Sequence, residues 1–211
     1  MRKKEDIKVE RGFTIWFTGL SGAGKTTISH IVVEMLKERG IPNIEVLDGD
    51  VIRTNLSKGL GFSREDRETN IRRIAFVCSL LTRNGVPNIV AAISPYRNSR
   101  EYARREIGNC LEVFVKCPVE VCAERDPKGL YKKAMSGEIK NFTGVSDPYE
   151  DPLTPDLVIE TANETPQDSA NRVIEKLEEM GYIPVSDDKT DVYSPEEEAE
   201  IHDRLESLGY I

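Results

Sequence analysis

No long hydrophobic run interrupts this sequence. Across 211 residues, no apolar stretch approaches the roughly 20 residues that cross a bilayer, so no membrane role is expected. The amino-terminal stretch MRKKEDIKVERG carries basic residues but no apolar core, and so does not read as a secretory signal. A cytoplasmic location is the expectation. Cysteine and histidine are scarce. The four cysteines (Cys78, Cys110, Cys117, Cys122) form no CxxC pair, and His30 and His202 are far apart. That pattern excludes a zinc-finger framework and points to reduced, buried thiols. Positive charge is also in deficit: 29 Lys and Arg face 37 Asp and Glu, a net charge of −8. A general nucleic-acid binder is therefore not expected, although a local basic site for a small anion remains open. With 38% hydrophobic and 31% charged residues, the chain has the balance of one folded domain rather than of a disordered one.

Five short apolar runs read as strands: 13–18, 44–47, 88–93, 111–115 and 156–160. Helical spacing lies between most of them, over 25–39 up to Gly40, over 65–83, and over 166–180 from Thr165–Pro166 to Gly181. Strands alternating with helices imply an α/β three-layer sandwich around a five-stranded parallel sheet. The interval 116–155 is rich in Lys, Gly, Pro and Asp, and reads as a lid insertion at about 125–150. The expected domain runs over 11–184, after a polar arm at 1–10. Residues 185–211 are expected to form a polar linker and a helix at about 195–208, with Ala199, Ile201, Leu205 and Leu208 as its apolar stripe. Its end, IHDRLESLGYI, echoes VIEKLEEMGYI at 173–183.

FTGLSGAGKTT follows the first strand and opens the first helix. It holds the pattern G-x-x-x-x-G-K-[ST] as Gly19, Gly24, Lys25 and Thr26. Phosphates repel one another and need many donors at once. The backbone of Gly19, Ser21, Gly22, Ala23 and Gly24 can turn inward around them, and the helix amino terminus adds its dipole. Lys25 reaches the β/γ-phosphates and the Thr26 hydroxyl ligates Mg²⁺. The phosphoryl donor is thus a nucleoside triphosphate. The nearest string to a guanine-reading N-K-x-D motif starts with the wrong residue, at Asp188 in the polar linker, so a small-molecule kinase fits better than a GTPase.

LDGDVIR begins 22 residues beyond Lys25, at the end of the second strand. Ligands of open α/β sheets sit at that edge. Asp48, Asp50 and Arg53 should therefore border the phosphates. A carboxylate there can hold the metal or orient an acceptor hydroxyl, and an arginine suits an anionic acceptor. Further on, Phe62 sits in a glycine-flanked turn, as an exposed aromatic fit to stack on a base. Arg67 and Asn70 share one face of the next helix. Ser94 closes the third strand. The stretch 125–144 carries five basic against two acidic residues, with a second aromatic, Phe142.

At this point the sequence resembles the adenylylsulfate (APS) kinase family. The matching stretches are GLSGAGKTT, LDGD-IR, LGFS-EDR--NIRRIA, ISPYR, RDPKGLYKKA--GEIK-FTG and DPYE-P, covering about residues 11–160. The resemblance implies transfer of a phosphoryl group from Mg-ATP to adenosine 5′-phosphosulfate (APS). Asp48, Asp50, Arg53, Arg67, Asn70, Ile93, Ser94, Lys128 and Thr143 would hold APS, its adenine lying between Phe62 and Phe142. Thr27 and Arg125 would join the P-loop on ATP. Lys25, Asp50 and Ser94 would be catalytic, with Thr26 and Asp50 on the metal. For Ser94 the family offers a phosphoserine intermediate or a substrate contact, and an in-line transfer needs no intermediate. The apolar stripe of the expected tail helix suggests a homodimer, and because many members of the family are fused to ATP sulfurylase, the resemblance implies an association with that enzyme, to which this sequence is not fused. The chain departs from the family at Val51, Thr69 and Asn141, where Asn, Glu and Gly are usual.

Overall fold

Five parallel strands and seven helices alternate along the computed structural model, which describes residues 11–186 apart from the side chains of Asp50, Val51 and Arg53. The order is β1 (Thr14–Thr18), α1 (Lys25–Glu38), β2 (Glu45–Asp48), α2 (Gly49–Asn55), α3 (Arg64–Arg83), β3 (Asn88–Ala91), α4 (Arg97–Ile107), β4 (Cys110–Lys116), α5 (Val119–Arg125), α6 (Leu130–Met135), β5 (Leu157–Glu160) and α7 (Pro166–Glu179). The strands lie as β2-β3-β1-β4-β5. The arm at 1–10 and the tail helix expected at 195–208 lie outside the described residues.

β1 is central, and its alternating side chains divide the core into two layers. Phe13, Ile15 and Phe17 pack with Val32 and Leu36 of α1 and with Val173 and Leu177 of α7. Trp16 points the other way, to Ile71 and Ile74 of α3 and Ala103 of α4. Both sheet faces are covered, which explains why the strands read as unbroken apolar runs. Burying Trp16 and the Phe and Ile side chains of β1 supplies roughly 1.5–3 kcal/mol each.

The three expected helices are present within a residue or two. Ser63 starts α3 by accepting the Asp66 amide. Thr165 and Asp168 form a reciprocal capping box on α7, with Pro166 in its first turn.

Two regions differ from the sequence reading. First, α4 is a full helix whose inward face is partly polar: Ser99 and Arg100 are buried beside Ala103 and Ile107. Second, the insertion is not simply loop. α6 lies within it, with Tyr131 and Ala134 buried and Lys132 and Lys133 exposed. Short segments of this kind give too few turns for a periodicity to stand out.

Candidate active site

The carboxyl ends of β1, β2 and β3 open into one cleft of about 910 Å³. The P-loop forms its donor end. Asp48, Phe62, Arg67, Asn70, Ile93 and Ser94 line the rest, with Arg125 from the end of α5 and Lys128 from the segment that follows it.

At the donor end the chain leaves β1 through Gly19 at φ 144°, a backbone conformation that favours glycine. A side chain there would also meet the Val115 carbonyl, since a Cβ would lie 2.3 Å from its oxygen. Lys25 opens α1 and is only 9% exposed. Its Nζ donates to the carbonyls of Gly19 (3.0 Å) and Leu20 (2.7 Å). Burial pushes its ammonium down to about 8, against the opposing pull of Cys122 and Asp48 and with the repulsion of Lys128. A desolvated cation held at the mouth of the loop gains much by meeting phosphate oxygens. Thr26 and Thr27 line the cleft beside it. Ala23 is fully buried and offers only its backbone. Its carbonyl accepts the Thr161 hydroxyl at 2.9 Å, and Arg125 donates to the Thr161 carbonyl at 2.7 Å. Thr161 thus ties the loop to the end of β5. Sequence reading overlooked Thr161, although its place just after a parallel strand was a usable signal.

Among the described residues no cluster of three or more His, Cys, Asp or Glu stands ready for a metal. The donor set still fits Mg²⁺. That ion keeps waters and takes one or two protein oxygens together with substrate phosphates, and both the Thr26 hydroxyl and the Asp48 carboxylate line the cleft.

The acceptor end is assembled from distant segments. Asp50 and Arg53 lie in α2, directly after Asp48. Asn70 on α3 accepts the Ser57 hydroxyl. Arg67 donates to the carbonyls of Phe62 (3.0 Å) and of Asn141 (2.7 Å), and its guanidinium lies 5.7 Å from the Phe62 ring centre. It therefore bridges the cleft wall to the insertion. Phe62 is 48% exposed, as the glycine-flanked turn predicts.

The second aromatic, Phe142, is placed differently from Phe62. Phe142 is only 8% exposed, and its ring meets Tyr131 edge-on at 5.0 Å, so it is committed to the core beneath the insertion. Next to it, Thr143 is 2% exposed, and its hydroxyl has no partner among the described residues. Neither residue lines the cleft. Asn141 sits at φ 57°. A glycine is at ease in that conformation, and Asn is among the residues that tolerate it best, which accounts physically for this departure from the family pattern.

Ser94 is 2% exposed and also left-handed, at φ 46°. Its hydroxyl accepts the Trp16 indole N–H at 3.0 Å and lies 3.4 Å from the Ala92 carbonyl. It sits at the cleft edge with its hydrogen bonds already made within the protein.

The adenylylsulphate kinase family model matches residues 11–160. The chain is 61% identical over 174 residues to the adenylyl-sulfate kinase of Rippkaea orientalis, covering 82% of this chain and 96% of that one. It is 54% identical over 182 residues to that of Halothermothrix orenii, covering 86% and 98%. Among solved structures, the Mycobacterium tuberculosis APS kinase in complex with AMPPNP and APS is 44% identical, with a TM-score of 0.76 over 80% of this chain and 98% of that one. With a P-loop opening into an acceptor cleft and matches of this extent, the chain belongs to the adenylylsulphate kinase family.

Proposed function

We propose that the protein phosphorylates the 3′-hydroxyl of APS with ATP, giving 3′-phosphoadenosine 5′-phosphosulfate (PAPS) and ADP. One observation carries this reading: a single cleft joins the P-loop lysine to an arginine, an asparagine and an exposed phenylalanine suited to an anionic nucleotide. The P-loop backbone, Lys25 and Thr26 hold the triphosphate, and Arg125 closes over its nucleoside end. Bound Mg²⁺, held by Thr26 with the carboxylates at the end of β2, Asp48 and its neighbour Asp50, would neutralise charge on the transferring group. Asp48, Asp50 and Arg53 orient the acceptor with Arg67, Asn70, Ile93 and Lys128, and Phe62 stacks on its adenine. Phe142 and Thr143 shape the insertion beneath that site. The satisfied hydroxyl of Ser94 favours direct in-line transfer, with Ser94 as a contact rather than a nucleophile.

The reaction places the protein in sulfate activation, as a cytoplasmic homodimer able to associate with ATP sulfurylase. Among the described residues no helix is long and apolar enough to cross a membrane. The apolar stripe expected from the sequence of 195–208 would need a surface to cover it, and we assign that surface to a second subunit. Deleting 186–211 should then dissociate the dimer in light scattering without loss of the chemical step. The deciding assay for the activity is ADP release with APS, with AMP and gluconate as alternative acceptors. Turnover with APS alone supports the proposal. A protein that binds APS without turnover would be a regulator instead, and turnover with gluconate would make it a kinase of another metabolite.

A further inference from the structure

We infer that Arg100 and Tyr149 are positioning residues that set the acceptor edge against the P-loop; this rests on the phosphoryl-transfer reading above. Neither lines the cleft. Their contacts nevertheless converge on the two ends of the reaction.

Arg100 is 4% exposed. Its guanidinium makes three separate bonds. Nη1 donates to the Ser94 carbonyl at 2.5 Å, Nη2 to the Glu150 carbonyl at 2.5 Å, and Nε to the Glu112 carboxylate at 3.0 Å. The planar fork of an arginine can hold three acceptors in fixed directions, which a lysine cannot. One acceptor is the peptide of Ser94, a non-glycine residue in the left-handed region. Such a conformation persists only where its surroundings over-determine it. Arg100 supplies that constraint from below, and Trp16 supplies it at the side chain.

Tyr149 makes the other half of the link. Its hydroxyl is 2.8 Å from that of Thr18, which donates in turn to the Ile93 carbonyl at 2.7 Å. The Gly19 amide, where the P-loop begins, points to the same carbonyl at 3.4 Å. The Tyr149 ring stacks on Phe114 and stands 5.5 Å from the Arg100 guanidinium. The chain leaving the insertion is fastened as well: the Glu150 amide donates to the Pro95 carbonyl at 2.9 Å, and its carboxylate accepts the Arg97 amide at 2.9 Å. Residues 18–19, 93–95 and 149–150 thus share one largely inward-facing hydrogen-bond network. Phosphoryl transfer depends on the distance and line between donor and acceptor oxygens. A network that joins the P-loop, the acceptor edge and the exit of the insertion is placed to set both.

The test uses the full chain and initial rates of ADP release, with ATP and APS each varied, beside thermal melting. Arg100→Lys keeps a positive charge near Glu112 but loses the fork. It should lower kcat about 10- to 100-fold, while KM for ATP moves less than about threefold. Tyr149→Phe keeps the ring and loses one hydrogen bond, and should lower kcat about fivefold. A glycine at position 94 adopts the left-handed conformation unaided. Adding Arg100→Lys to Ser94→Gly should therefore cost less than about a third of what it costs in the wild-type background, each measured against its own parent. If Arg100→Lys does not fold, Tyr149→Phe, which loses only the hydroxyl bonded to Thr18, carries the test through its kcat per folded molecule. A lower melting temperature with unchanged kcat per folded molecule overturns the inference, as does an Arg100→Lys cost that is undiminished in the Ser94→Gly background. Wild-type protein that releases no ADP with APS overturns the reaction itself, which is a separate and visible outcome.

Discussion

The two ends of the cleft are built by different means. The phosphate-binding part of the donor end is one contiguous stretch, 19–27, shaped mainly by backbone, with a single buried lysine folded onto the carbonyls of Gly19 and Leu20. The acceptor end draws on α2, on α3, on the turn after β3 and on the insertion, and its groups are long side chains that reach across gaps. The donor end is therefore defined as soon as a strand, a turn and a helix form in sequence. The acceptor end exists only when segments 74 residues apart, such as Arg67 and Asn141, have met. A contiguous site is robust to changes elsewhere. An assembled one is exposed to every residue that sets the relative position of its parts.

The largest expected effect lies at the donor end. Lys25→Ala should lower turnover by roughly 10²- to 10⁴-fold, because its charge acts on the migrating phosphoryl. Circular dichroism should show an unchanged fold, and steady-state assay of ADP release measures the loss. Near-normal turnover would erase the contrast between the two ends. The same lysine predicts a pH profile. Its folded value of about 8 lies below the ordinary 10.5, so in free enzyme the ammonium is lost as pH rises through about 8. The kcat/KM for ATP should then fall above that pH, and Lys25→Arg should push the fall to higher pH. The stability sign is opposite. Between about 8 and 10.5 the unfolded chain binds the extra proton, so this group favours folding more as pH rises through that window.

A pair of substitutions sharpens the acceptor end. Phe142→Ala empties a core position and should cost roughly 3–5 kcal/mol of stability, or about 6–20 °C in melting temperature for a domain of this size. Phe62→Ala removes an exposed ring. It should leave melting within about 2 °C and raise KM for APS roughly 5- to 150-fold, the equivalent of about 1–3 kcal/mol of base stacking. Calorimetry and initial rates separate the two. Equal loss of stability in both would mean that both rings are structural.

The smallest effect concerns Asn141. Asn141→Ala should cost about 1 kcal/mol, because alanine lacks the polar side chain that eases the left-handed conformation. Asn141→Gly should stay within about 0.5 kcal/mol of wild type. Chemical denaturation resolves the difference, and an alanine as stable as the glycine would remove backbone strain from the account.

Much of the fold could be read in advance because its signals are local. The strand runs of β1, β3 and β4, the capping box at Thr165, and the placement of Gly24, Lys25 and Thr26 each depend on neighbours a few residues away. What escaped were elements whose inward faces are polar or short. α4 turns Arg100 inward to partners on three other segments, and only Ala103 and Ile107 are apolar among its buried residues. α6 is too brief for a pattern.

The sequence by itself determined the parallel α/β architecture, the phosphate loop and the family, because hydrophobic period, turn chemistry and a contiguous motif are written along the chain. The exposure of Phe62 was legible in its glycine-flanked turn, but only the tertiary structure decided that a second phenylalanine near a glycine, Phe142, is buried against Tyr131. It alone decided that Asn141 stands in a left-handed turn, and that Arg100 and Tyr149 meet Ser94 and Thr18. The physical reason is the same in each case. Exposure, backbone handedness and a buried arginine's partners depend on what packs from remote parts of the chain, and no local pattern encodes that.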